Sequence, residues 1–177
     1  MTVTLILGGA RSGKSRFAES LAGVKKYYIA TAQVHDEEMR LRIAAHQKQR
    51  GHGWITHEAP FDLVTKLVEI DEAENFILLD CLTLWLSNLL LAEADCSEMV
   101  FELVEHLKDA KANIVIVSNE VGLGIVPDNK LGRAFRDIQG IANQGVVAVA
   151  DHVVFIAAGL PLLLKGSLPR PPQPRAE

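Results

Sequence analysis

An apolar run, Val3 to Leu7, leads directly into Gly8-Gly9-Ala10-Arg11-Ser12-Gly13-Lys14-Ser15, and a helical stripe through Phe17 and Leu21 follows. The spacing is that of a phosphate-binding loop: a glycine, four residues of any kind, then glycine, lysine and serine. Such a loop needs a strand behind it and a helix N-terminus in front, so it constrains the fold more than any other part of this chain. Its glycines let backbone N–H groups converge on phosphate oxygens, Lys14 sets a point charge at the β and γ phosphates, and Ser15 offers a hydroxyl to Mg²⁺. The helix dipole adds to the attraction. A glycine-rich turn with an incidental lysine would not need both flanks, so Gly8 to Ser15 is read as the site of a nucleoside triphosphate.

Four more apolar runs, Tyr27 to Ala30, Phe76 to Leu79, Ile114 to Val117 and Val153 to Ala157, are continuous rather than alternating, as expected of strands covered on both faces. Helical stripes lie between them: Phe61 with Val64 and Val68, Val100 with Leu103, Val104 and Leu107, and Leu131 with Phe135, Ile138 and Ala142. Asp36 is placed to cap a helix, Pro60 to sit in a first turn, and Asp95 with Glu98 to form a capping box. Alternating strands and helices predict an α/β fold of the P-loop NTPase, RecA-like kind, a mostly parallel sheet with helices on both faces. The expected catalytic domain spans residues 1–168, and residues 169–177, with four prolines and no apolar period, are expected to be a disordered tail.

A chain of 177 residues fits one domain able to bury a core without disulfides. The formal charge of -4 gives no footprint for nucleic acid. Cys81 and Cys96 have neither zinc-site nor redox-pair spacing, which makes a reducing cytoplasm the default, and the N-terminus lacks the pattern of a signal peptide. The most apolar window, residues 145–164, has Asp151 and His152 in its middle, so a helix end followed by a strand is expected there rather than a membrane span.

Two further positions carry chemistry. Asp80 closes the run Phe76 to Leu79, the place from which an acidic residue holds Mg²⁺ in P-loop proteins, although an aspartate there also starts turns. In residues 36–50, DEEMRLRIAAHQKQR, an acidic first turn and a basic end suit a helix whose positions 42, 46 and 50 share a face. That face would carry Arg42, His46 and Arg50 beside Lys48. A neutral imidazole is a competent nucleophile toward phosphorus, and a solvated basic helix end is the plainer reading. Residue type and spacing leave His46 open between the two.

The segments GGARSGKSRFAE (8–19), YIATA (28–32), DEEMRLRIAAHQKQR (36–50), DCLTLWLSNLL (80–90), VSNEVGLGIVP (117–127) and LGRAFRDIQGIANQ (131–144) together resemble one family. It is the bifunctional adenosylcobinamide kinase and adenosylcobinamide-phosphate guanylyltransferase of cobalamin biosynthesis, and the likeness covers nearly the whole chain except the proline-rich tail. The resemblance implies phosphorylation of adenosylcobinamide by ATP or GTP, then transfer of GMP from GTP to that phosphate, with pyrophosphate released. It implies a guanylylated histidine at His46. It implies nucleotide contacts at Gly8 to Ser15, at Ala30, Thr31 and Ala32, at Gln47, Lys48, Gln49 and Arg50, and at Glu58 and Asp80. Glu58 rests wholly on the resemblance. A corrinoid substrate, Mg²⁺ and a homotrimer with sites near subunit contacts are implied as well.

Two other readings compete. A simple P-loop kinase for a small hydroxyl substrate would leave His46 structural. A nucleotide-dependent switch is disfavoured by the lack of an NKxD guanine motif. Glu120, in Ser118-Asn119-Glu120-Val121-Gly122, is a polar candidate for a kinase base, with a turn acid as the plainer reading.

Overall fold

The computed structural model describes residues 1–33 and 37–171; within its second helix the side chains at 38, 39, 42, 45, 46 and 49 lie outside the described part. In chain order the elements are β1 (Val3–Gly8), α1 (Lys14–Ser20), β2 (Lys26–Ala30), α2 (Glu37–Arg50), β3 (Trp54–Glu58), α3 (Leu63–Ile70) and β4 (Phe76–Asp80). These are followed by α4 (Leu82–Leu91), α5 (Cys96–Lys108), β5 (Asn113–Asn119), α6 (Lys130–Val149), β6 (His152–Ala157) and β7 (Leu160–Lys165).

The strands form one sheet in the order β3-β2-β4-β5-β1-β6-β7. Six run parallel, and β7 returns antiparallel to β6 as a hairpin. All five apolar runs are strands, as their unbroken apolarity predicts for a sheet buried on both sides. Alternation along each strand divides the core. Leu5, Leu7, Ile77, Leu79, Ile114 and Ile116 pack under α3 to α6, whereas Ile6, Leu78, Val115 and Val117 pack with Ala18 and Leu21 beneath α1. Helices on both faces of a mostly parallel sheet agree with the expected α/β P-loop fold.

The structure corrects several local expectations. The stripe on α3 is shifted: Leu63, Leu67 and Ile70 are buried, while Val68 is 60% exposed and Phe61 36%. Both spacings satisfy a helical period, and the inner one carries the two leucines and the isoleucine. Pro60 precedes that helix by three residues instead of entering its first turn. On α6, Leu131 is exposed and the buried positions include Gln139 and Asn143.

Residues 145–164 are a helix end, a strand and a hairpin, and among the described residues no helix is long and apolar enough to cross a membrane. The Asp36 cap lies outside the described residues, as does the part of the expected tail at 172–177. Both cysteines are buried and free.

The Asp95 cap forms as expected, its Oδ1 accepting from the N–H groups of Ser97 and Glu98 at 2.9 and 3.1 Å. Removing it in Asp95→Ala leaves two helix-end donors without that acceptor and should cost about 1 kcal/mol, read as a lower midpoint in urea with unchanged slope.

Candidate active site

The phosphate loop is built by close contact. A Cβ on Gly8 would come within 2.6 Å of both the Ile156 carbonyl oxygen and Ser12 Oγ, so glycine alone fits where the loop leaves β1. Gly13, with φ at 98°, caps α1 in the left-handed region that glycine enters at no steric cost. The turn between β6 and β7 braces the loop from outside, with the Gly159 N–H donating to the Ser12 carbonyl at 2.8 Å. Lys14 Nζ donates to the Gly9 carbonyl at 2.9 Å. The lysine is therefore held over the loop by the loop's own backbone.

Register brings the other candidates to the same edge of the sheet. Ala30 lies level with both Glu58 and Asp80, so β3, β2 and β4 end together. Two strands from β4, β1 delivers Gly8 to that carboxyl edge, where open α/β sheets bind ligands. Asp80 Oδ2 accepts from the Tyr28 hydroxyl at 3.1 Å, and Oδ1 accepts no hydrogen bond among the described residues. Burial, and then the Asp80 charge, push the Tyr28 hydroxyl well above its ordinary pKa, which keeps it protonated as a donor. Glu19 on α1 shares this neighbourhood: burial raises its carboxyl pKa, and the Asp80 charge raises it further.

Helix α2 reaches the site through its last residue. The Arg50 guanidinium lies over the Tyr28 ring with Cζ 3.6 Å from the centroid, and its Nη2 donates to Thr56 Oγ1 at 3.1 Å. Tyr28 thus touches both Asp80 and the end of α2. The His46 backbone stands one helical turn before Arg50, while the side chains of His46, Arg42 and Gln49 lie outside the described residues. Gln47 and Lys48 are exposed on the same helix, and Glu58 is exposed at the end of β3.

Thr31 is fully buried and turned inward. Its hydroxyl donates to the Cys81 carbonyl at 2.8 Å and accepts from the Cys81 N–H at 2.9 Å, while its carbonyl accepts from Asn88 Nδ2 at 2.8 Å. Thr31 therefore ties the loop after β2 to the loop after β4, with Ala30 and Ala32 as its half-buried neighbours. Glu120 also turns inward on itself, its carboxylate accepting from the Gly122 N–H.

Sequence reasoning missed Tyr28 and Asn88 as parts of this assembly. The one available signal was a lone amide, Asn88, in the apolar run Leu82 to Leu91. Among the described residues, no group of three or more His, Cys, Asp or Glu is arranged to hold a metal. Ser15 and Asp80 are the oxygen donors nearest in role to that task.

A family model described as cobinamide kinase / cobinamide phosphate guanyltransferase matches residues 4–164. The Pseudomonas aeruginosa bifunctional adenosylcobalamin biosynthesis protein CobP is 48% identical over 168 residues, covering 92% of this chain and 96% of that protein. The Salmonella typhimurium bifunctional adenosylcobalamin biosynthesis protein CobU is 40% identical over 178 residues, covering 91% of this chain and 98% of that one. A solved Pyrococcus horikoshii structure aligns with 99% of this chain and 94% of its own at a TM-score of 0.51 and 9% identity, a likeness of fold alone.

Proposed function

The chain belongs to the cobinamide kinase / cobinamide phosphate guanyltransferase family, and from that premise we propose that both reactions are run from one P-loop, with His46 as the residue that takes up GMP. It is a bifunctional enzyme of adenosylcobalamin biosynthesis, acting on a corrinoid substrate with nucleotide triphosphate as donor. The observation that supports a single phosphate site is that β1 ends in the phosphate loop and β4 in Asp80 at one edge of the sheet.

In the kinase step, the hydroxyl oxygen of adenosylcobinamide attacks the γ-phosphorus of ATP or GTP. The bond to the nucleoside diphosphate breaks, and the hydroxyl proton passes to solvent. Gly8 to Ser15 hold the phosphates in line, and Lys14 exchanges its bond to Gly9 for phosphate oxygens, so positioning and charge carry most of the work. Mg²⁺ suits the oxygens offered, the Asp80 carboxylate, whose Oδ1 accepts no hydrogen bond from the described residues, and the Ser15 hydroxyl, since that cation takes one or two protein oxygens beside phosphates and water. When bound it would neutralise charge on the phosphates.

In the transferase step, the neutral imidazole of His46 attacks the α-phosphorus of GTP, and the bond to pyrophosphate breaks to leave a phosphoramidate. The phosphate oxygen of adenosylcobinamide phosphate then attacks the same phosphorus. The P–N bond breaks, His46 returns neutral, and adenosylcobinamide-GDP is formed. Splitting the transfer lets the second substrate enter after pyrophosphate has left. Gln47, Lys48, Gln49 and Arg50 follow His46 directly, and this reading gives them, with Glu58 and the Ala30 to Ala32 segment, to the bound nucleotide.

Incubation with adenosylcobinamide and γ-labelled ATP should move label to the corrinoid. Subsequent GTP should convert that product to adenosylcobinamide-GDP with one pyrophosphate for each. Phosphorylation that stops at the first product, at any GTP concentration, would reduce the chain to a simple kinase.

A further inference from the structure

Strand β5 lies between the strand that feeds the P-loop and the strand that ends in Asp80, and it runs farther than the latter. Asp80 is level with Val117, whereas Asn119 is level with Gly8. Alternation sets which way these residues face. Val117 packs in the cluster beneath α1, Ser118 bonds to α6 on the opposite face, and Asn119 follows Val117 to the side of α1 and the phosphate loop. Asp80 is on that side too, two residues beyond Leu78 and bonded to Tyr28 from the same cluster.

The backbone of Asn119 is held on both sides. Its N–H donates to Thr83 Oγ1 at 2.8 Å, and its carbonyl accepts from Asn143 Nδ2 at 3.2 Å. Asn143 Oδ1 is itself fixed by Ser118 Oγ at 2.7 Å and Gln139 Nε2 at 3.1 Å. The next residue, Glu120, donates its N–H to the Gly8 carbonyl at 3.3 Å, which joins the strand end to the loop. Four buried polar side chains therefore serve to fix one short stretch of backbone, the kind of support that a precisely placed group requires.

The side chain so placed bonds to nothing among the described residues. Asn119 Oδ1 is buried without a partner, and its Nδ2 donates to nothing among the described residues. Ser12 Oγ, the atom that closes on Gly8, is a second buried oxygen with no partner among the described residues. Buried polar atoms are normally satisfied, and each one that is not costs stability. Both of these oxygens lie beside Gly8, one of them on a strand end fixed from behind whose side chain also carries an Nδ2 donor that no described residue takes up.

We propose that Asn119 is a catalytic residue of phosphoryl transfer, its side-chain amide N–H donating to the phosphate group held by the P-loop. The inference rests on the reading of Gly8 to Ser15 as the triphosphate site. A neutral donor fixed in advance stabilises charge on the transferred phosphoryl oxygens with no reorganisation during reaction.

The test compares Asn119→Ala and Asn119→Asp with the unaltered enzyme in phosphorylation of adenosylcobinamide by γ-labelled ATP. Asn119→Ala should lower kcat about 10²- to 10³-fold while nucleotide Kd stays within about three-fold. Its thermal midpoint should be unchanged or higher, because the unpaired buried oxygen is gone. Asn119→Asp keeps the shape, loses the donor and adds negative charge toward phosphate, so it should fall below Asn119→Ala. Undiminished kcat in either variant overturns the proposal. So does a lowered midpoint in which nucleotide affinity and kcat fall together, the mark of a structural residue. Lys14→Ala, measured in parallel, separates the premise from the inference: kcat and nucleotide affinity both unchanged in that variant would refute the P-loop reading whatever Asn119 does.

Discussion

Lys14→Ala should lower kcat/KM for both reactions by about 10³-fold or more, with fold and stability intact. The shape of the loop is fixed by Gly8, Gly13 and the Gly159 brace rather than by the lysine, whose Nζ donates to the Gly9 carbonyl at the exposed side, so its removal leaves the cradle standing. What is lost is the ammonium that moves onto the β and γ phosphates, which matters to the γ-phosphoryl group as it transfers and to pyrophosphate as it leaves. The shared loss is the informative part. If one loop serves both steps, γ-label transfer to adenosylcobinamide and pyrophosphate release from GTP fall together, and circular dichroism and the thermal midpoint stay put. A variant that loses only the kinase would place the two triphosphates in different sites.

The parts of this site that were legible in the sequence are those whose chemistry leaves a local trace. The loop from Gly8 to Ser15 has fixed spacing, and Asp80 ends an apolar run, so each could be placed before the sheet order was known. β3 left no such trace. It is an edge strand in which Trp54 and His57 are half-buried and Ile55, Thr56 and Glu58 exposed, so it shows neither a buried run nor alternation and resembles a loop. Helix α4 was obscure for the opposite reason. Leu82, Trp85, Leu86 and Leu89 are buried, but so are the polar Thr83 and Asn88, and Leu84, Leu90 and Leu91 spread apolar residues around the rest of the helix, so no apolar stripe stands out against a polar face.

Partners across the sheet are the other hidden class. Gln139 and Asn143 read as the polar side of α6, yet they are buried against Ser118, and nothing within α6 indicates a hydroxyl more than twenty residues away. Tyr28 likewise reads as one more apolar strand residue. Its tie to Asp80 on one side and Arg50 on the other exists only once β2 and β4 are adjacent and α2 returns over them. Local pattern specifies which residues bear chemistry, whereas the ties that orient them come from tertiary pairing.

His46→Asn carries the other large effect, and it is selective. An asparagine keeps a polar side chain on the helix but offers no nitrogen lone pair able to attack phosphorus, so transfer of GMP should fall by a factor on the order of 10⁵. The kinase should keep most of its rate, since the P-loop, Asp80 and Asn119 are untouched. That split would separate the two half-reactions on one chain and leave the phosphate loop common to both.

The most direct measurement is covalent. The unaltered protein is incubated with Mg²⁺ and GTP labelled at the α-phosphate, denatured, and assayed for bound label that survives alkali and is released by acid, the behaviour of a phosphoramidate. The account predicts such label on the unaltered chain, its discharge onto adenosylcobinamide phosphate, and none on His46→Asn. Label on His46→Asn equal to that on the unaltered protein would contradict it.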